Sequence, residues 1–235
     1  MFRYYKYQRP SAAKGVTKMR RFILAFGLFS LSALPAFADL YIEQTTTQYQ
    51  FWEDTVGEIS HQKIYLKEDL MKIENVETKE VVIIRPDKKA LFTLDLNEKI
   101  YLEFPLESLK EMARDTTTEV KVEKTGRKKN IMGYPGQEII ILKDGEPIVE
   151  MWITEKIDPG KSYKELIENL RFFPESLIEE LKKIKGIPLK SKFTLNIGQL
   201  EINAQTTVEK ISQKVIDPAE FKIPPSFEKI EFPLE

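Results

Sequence analysis

One histidine, no cysteine and 37 acidic residues limit the chemistry open to this chain of 235 residues. With His61 the only imidazole, neither a two-histidine metal site nor a Cys-His pair can be built. A Ser-His-acid triad would have to use His61. That residue falls in Glu58 to Leu66, a strand-like run in which a polar side chain on the wet face is the plainer explanation. No nucleophile elbow, P-loop, dinucleotide fingerprint or calcium loop occurs. Paired carboxylates remain as a glycosidase acid and base, and Glu43, Glu53 and Asp54 lie near aromatics able to stack on a sugar. A chain this acidic also brings such groups together by chance. Trp52 and Trp152 could line a ligand site or pack at the rim of a sheet. The residue types therefore favour a protein that is not an enzyme and uses no cofactor or metal.

The elements that would position these residues are mostly strands. Leu40 to Trp52, Glu58 to Leu66, Leu70 to Asn75, Val81 to Arg85, Ala90 to Leu96 and Lys99 to Phe104 follow at close spacing, broken by short polar turns. They predict a meander of antiparallel hairpins. Pro105 to Arg114 predicts a short helix, with Pro at its start and Leu106, Leu109 and Met112 on one side. Strands resume at Glu119 to Glu123, Glu138 to Leu142 and Ile148 to Thr154, with turns at Gly133-Tyr134-Pro135-Gly136 and Asp144-Gly145. From about 160 to 185 the period shifts to 3.6. Tyr163, Leu166, Ile167 and Leu170 form one apolar stripe, and Leu177, Ile178, Leu181 and Ile184 form a second beyond Pro174. Alternation then returns in Phe193, Leu195 and Ile197, and in Leu200, Ile202, Ala204, Thr206 and Val208. Phe221, Ile223 and Phe227 are expected to pin an irregular tail to the body. A long sheet with one apolar face needs a cover. The expected fold is mainly β (α+β), a single domain over 39–235 in which a curved antiparallel sheet or incomplete β-barrel is covered by about three short helices.

Export is predicted from the N-terminus. Met19-Arg20-Arg21 precedes the apolar run Phe22 to Leu34, and Pro35 breaks it just before the small-x-small site Ala36-Phe37-Ala38. The run is too short to span the roughly 30 Å hydrocarbon core, which takes about 20 residues. The reading takes Met19 as the true start, residues 1–38 as extension and cleaved signal peptide, and Asp39 as the mature N-terminus. Without cysteine there is no acylation site, so the expected location is the periplasm. The first 38 residues hold seven Lys and Arg and no acid, leaving 29 bases against 37 acids and a net charge of −8 beyond them. That sign argues against nucleic acid or an anionic membrane surface as a partner.

The run Glu80-Val81-Val82-Ile83-Ile84-Arg85-Pro86-Asp87-Lys88-Lys89-Ala90-Leu91-Phe92-Thr93-Leu94-Asp95, followed by Lys99-Ile100-Tyr101, resembles the pattern of a secreted bacterial family, domain of unknown function 4412. Lys124-Thr125-Gly126 through Ile131-Met132-Gly133-Tyr134, Glu150-Met151-Trp152-Ile153-Thr154, Gly186-Ile187-Pro188-Leu189-Lys190 and Phe221-Lys222-Ile223-Pro224 extend the resemblance over most of the mature chain. The family pattern often carries Cys two residues after its G-Y pair, where this chain has Gly136, so any role of that thiol is absent here. The broader similarity is to the periplasmic lipoprotein-carrier (LolA/LppX-like) architecture, an incomplete barrel with helices on its open side. The resemblance implies an apolar cavity between sheet and helices.

On that reading the protein binds or carries a lipid, an acyl chain or an acylated protein in the envelope. Phe92, Leu94, Leu102, Met151, Ile153, Leu166, Leu170, Phe193 and Leu195 are the candidate lining. The same residues could instead form a dry core. A non-catalytic module for an outer-membrane or other envelope protein, without a small ligand, is the alternative, and a hydrolase built on His61 or a carboxylate pair is the third reading. Export should leave a protein that begins at Asp39. Its intact mass measures this, and a product that retains residues 19–38 would defeat the prediction.

Overall fold

Alternation of apolar and polar residues decides which strand face is buried, and here it produces a sheet covered differently on its two sides. The computed structural model describes residues 39–49, 56–108, 120–157, 175–197 and 200–231. Its strands are β1 (Leu40–Tyr49), β2 (Val56–Lys67), β3 (Leu70–Asn75), β4 (Glu80–Arg85), β5 (Ala90–Asp95), β6 (Ile100–Pro105), β7 (Val120–Ile131), β8 (Tyr134–Lys143), β9 (Glu146–Thr154), β10 (Ile187–Ile197), β11 (Leu200–Gln213) and β12 (Glu228–Lys229). One complete helix, α1 (Glu175–Lys183), the first turn of another at residues 106–108, and two 3-10 turns, Pro86–Lys88 and Pro218–Phe221, complete the described elements.

All twelve strands form one open sheet in the order β12-β6-β5-β4-β3-β2-β1-β11-β10-β9-β8-β7. Every neighbouring pair is antiparallel except β12, which runs parallel to β6. Two meanders, β1 to β6 and β7 to β11, are thus fused along β1 and β11, and β6 and β7 lie at opposite ends. On a flat sheet those ends would be roughly 48 Å apart, at about 4.8 Å per strand. The residues 106–119 that join them could reach about that far only if fully extended, and residues 106–108 already form a helical turn. The sheet therefore curls, bringing its ends toward each other without closing.

The inner face carries the larger core. Ile42, Ile64, Ile73, Ile84 and Leu91 from one meander join Ile141, Met151, Ile153, Leu189 and Phe193 from the other. Leu177, Ile178, Leu181 and Ile184, the expected second stripe, are buried against this cluster. Gly186 lets the chain turn from α1 into β10. Its φ is +106°, and a Cβ there would lie 2.4 Å from the Thr154 carbonyl oxygen.

A second core occupies the outer face of β3 to β6. Val81, Ile83, Ala90, Phe92 and Leu94 pack against Ile216 and Phe221, with Ile223 and Phe227 alongside. The C-terminal tail is a strap across this face, as the three aromatic and aliphatic anchors predicted. Lys72 Nζ binds Glu220 at 2.7 Å, Arg85 Nη1 donates to the Phe221 carbonyl at 3.0 Å, and β12 adds to the sheet edge. The expectation that one sheet face is wet fails here. Val81, Val82, Ile83 and Ile84 are all buried, because β4 lies between the inner core and the strap.

Two boundaries also differ from expectation. The β7–β8 turn is Met132-Gly133, with φ of 54° and 82°, and Tyr134 to Gly136 already belong to β8. A two-residue hairpin turn with both residues at positive φ matches the twist of its strands. The expected strand at Glu119 to Glu123 continues to Ile131, because a bulge between Lys124 and Lys128, with Gly126 at φ 79°, absorbs the register break. That stretch has little apolar alternation because β7 is an exposed edge, and its Arg and Lys side chains discourage pairing with another chain. The helix expected at Pro105 to Arg114 is described only over its first turn, and the stripe Tyr163 to Leu170 lies outside the described residues.

Phe221 is the keystone of the strap, at 1% exposure. Phe221→Ala should lower unfolding stability by about 3–5 kcal/mol, the usual loss for a buried Phe truncation. Urea titration measures it, and a loss within about 0.5 kcal/mol, typical of a surface change, would show that the strap is not part of the cooperative fold.

Candidate functional site

The curled sheet sends the candidate residues to two different faces. Met151, Ile153 and Phe193 belong to the inner core. Leu102 is half-buried and pairs with Thr93, which shares the inward parity of Leu91. Phe92 and Leu94 must be removed from the candidate lining. They point outward into the core under the strap, since β5 turns alternate residues to opposite faces. Leu195 is paired with Ile202 in β10–β11, and Leu166 and Leu170 lie outside the described residues.

The inner face also holds a polar band that its apolar periodicity does not announce. Ser60 on β2 is paired with Thr46 on β1, Thr46 with Thr206 on β11, and Thr206 with Ser191 on β10. Directly paired residues share a sheet face, so four hydroxyls line up across four strands. They are buried, at 8%, 2%, 5% and 2% exposure in that order. One step along the strands, Gln44 pairs with Gln62, and Gln44 Nε2 donates to Gln62 Oε1 at 2.5 Å. Thr46 Oγ1 donates to the same oxygen at 3.2 Å. The hydroxyls of Ser60, Thr206 and Ser191 have no hydrogen-bond partner among the described residues. Each leaves a desolvated polar group inside an apolar interior, a cost of about 1–3 kcal/mol.

This face has an open pocket of about 610 Å³ near the β7–β9 corner, lined among others by Lys128, Asn130, Gln137, Ile153 and Glu155. Its lining joins polar and charged side chains to the core residue Ile153. Among the described residues, no three His, Asp or Glu side chains gather as a metal site.

His61 lies on the outer face, as its run predicts, and its side chain is 54% exposed. Its Nδ1 is 2.6 Å from Glu77 Oε1, and its backbone N–H donates to Glu77 Oε2 at 2.8 Å. The Glu77 hydrogen bond raises the His61 pKa above its ordinary value against the opposing effect of desolvation. For Glu77, desolvation pushes the pKa up, but the bonds from His61 outweigh it and the net shift is downward. Thr45 is paired with His61 across β1–β2, yet its hydroxyl donates to Glu209. Glu43 is engaged by Lys210 Nζ at 2.8 Å, and that bond, followed by one from Tyr41, holds its carboxyl below the usual range. Trp152 is half-buried with Lys129 Nζ 6.0 Å from its ring, which is rim packing. Trp52, Glu53 and Asp54 lie outside the described residues.

Residues 53–227 match the family described as Domain of unknown function (DUF4412). The chain belongs to that family. The DUF4412 match runs from just before β2 to the strap residue Phe227, so β1, at the centre of the sheet, lies upstream of it. No curated protein matches the sequence. Among solved structures, the chain is similar to an uncharacterized conserved protein from Thermus thermophilus, with 11% identity, 94% of this chain and 99% of that chain covered, and a TM-score of 0.48. It is also similar to a LolA superfamily protein from Nitrosomonas europaea, with 8% identity, 85% and 96% covered, and a TM-score of 0.36. For the MucA/MucB complex of Pseudomonas aeruginosa the identity is 9%, with 91% of this chain and 62% of that chain covered, and a TM-score of 0.41.

Because Glu77 binds the protonated imidazole, His61 should titrate above 6.5, and Glu77→Gln should return it toward that value. A raised folded-state pKa adds stability below the unfolded value, and the gain disappears as pH rises through the folded value. At this exposure the stability effect is small, so NMR of the ring protons is the measurement. A wild-type midpoint at or under 6.5 would contradict the pair.

Proposed function

We propose that this protein is exported to the periplasm and there binds or carries a hydrophobic ligand, a lipid or the acyl chain of another molecule, on the inner face of its curled sheet. The observation that carries the reading is the buried hydroxyl band of the inner face, in which Ser60, Thr206 and Ser191 have no hydrogen-bond partner among the described residues. A core selected only for dryness gains by replacing such groups with apolar residues of the same shape. A face that receives a ligand keeps them for the bound state.

The net charge of −8 beyond residue 38 supports a soluble carrier over a nucleic-acid or anionic-membrane binder. The interaction-module reading draws less support, because the tail is engaged by its own sheet and the β7 edge is lysine-rich. The hydrolase reading finds His61 and Glu77 on an open strand surface, with the paired Thr45 hydroxyl engaged elsewhere.

Native mass spectrometry of protein isolated from its own envelope should show a retained lipid. The delipidated protein should then bind N-phenyl-1-naphthylamine saturably, with displacement by acyl compounds. A lipid-free protein on which the probe shows no saturable signal would remove this reading.

A further inference from the structure

The charge and the surroundings of the hydroxyl band narrow the ligand further. The buried polar side chains on the inner face of the described strands are hydroxyls and carboxamides, namely Thr46, Ser60, Ser191, Thr206, Gln44, Gln62 and Asn75. Glu138 is the one acid among the buried described residues, and its carboxylate is bound by Arg127 and by Thr125 Oγ1 at 2.7 Å. No Lys or Arg is among the buried described residues, so none of these supplies a countercharge to a carboxylate or phosphate at the band, and an apolar interior penalises a charge left unpaired heavily. A neutral carbonyl needs only donors, and an unpartnered hydroxyl supplies one.

On β10 and β11 the floor is apolar on both sides of the band, whereas on β1 and β2 the band continues into Gln44 and Gln62. Ser191 is flanked inward by Leu189 and Phe193, and Thr206 by Val208 and Ala204, all in the inner core. Met151, paired with Ser191, is flanked by Val149 and Ile153 in the same way. A fatty acid or lysolipid, with its polar group at one end, would leave hydrocarbon on one side only. We propose that the band receives a neutral ester or amide carbonyl set between two hydrocarbon segments, held by the hydroxyls of Ser191 and Thr206. This rests on the ligand-binding reading above and specifies its chemistry.

The test compares octyl octanoate, heptadecane of matched chain length, and palmitate as displacers of N-phenyl-1-naphthylamine. Wild-type protein should prefer the ester to the hydrocarbon by about tenfold, the worth of one or two net hydrogen bonds. Ser191→Ala/Thr206→Val should abolish that preference while leaving heptadecane binding in place. Its ligand-free melting temperature should be equal or higher, since it removes unpartnered buried hydroxyls. Ser191→Ala alone gives a milder check should the double variant fail to fold. An ester preference unchanged in the variants, no preference in wild type, or tighter binding of palmitate would overturn the inference and leave the ligand-binding reading standing. A lower melting temperature with unchanged discrimination would also overturn it, by assigning the hydroxyls a structural role. Failure of all three compounds to displace the probe would overturn both.

Discussion

The pairing of β1 with β11 is the contact on which the rest depends. The first meander is a run of local hairpins, the second returns from β9 to β10 through the segment that contains α1, and only this ladder, from Leu40 opposite Gln213 to Tyr49 opposite Asn203, joins them into one sheet. The pairing is the least local in the fold, so its loop-closure entropy must be met before the inner core can form across it. Its outer end is tied by Asp39, whose carboxylate accepts from Lys67 Nζ at 2.7 Å and from the Ile216 backbone N–H at 2.8 Å. One side chain thus links the start of β1, the end of β2 and the start of the strap.

Fusing the meanders this way sets both faces. Curling gives the inner face a concavity shared by strands distant in sequence, and α1 packs there with its apolar stripe. The outer face would be wet throughout, but the strap buries the part over β3 to β6. Over β1, β2 and β11 the outer face carries the Glu43–Lys210 and His61–Glu77 pairs beside the packed rings of Tyr41 and Tyr65. These exposed pairs contribute little to stability. The fold is held by its two apolar layers.

Against that background the inner hydroxyls are costly. Burial of Ser60, Thr206 and Ser191 without partners among the described residues takes free energy from the folded state. Their alignment in one cross-strand row concentrates that cost at a single place, where an incoming carbonyl would recover it. The same local frustration would be waste in a protein whose only task was to stay folded.

Much of the architecture was legible in the sequence. Leu70 to Asn75 was recovered to the residue, the second helical stripe to within a turn, and the tail anchors Phe221, Ile223 and Phe227 by residue. These follow from short-range periodicity, which reports whether a residue is covered but not by what. That is why Phe92 and Leu94 were assigned to the wrong layer. Their burial comes from the strap, more than 100 residues away in sequence, and no local pattern distinguishes an inner face from a covered outer one. The hydroxyl row was hidden for the same reason. Thr46, Ser60, Ser191 and Thr206 are unremarkable as single polar residues in strands, and only the register of β2, β1, β11 and β10 sets them side by side. Sequence alone determined most strands, the stripe Leu177 to Ile184 and the lack of catalytic cysteine and paired histidine. The tertiary structure decided which faces meet, because pairing between distant strands depends on chain closure and packing rather than on neighbouring residues.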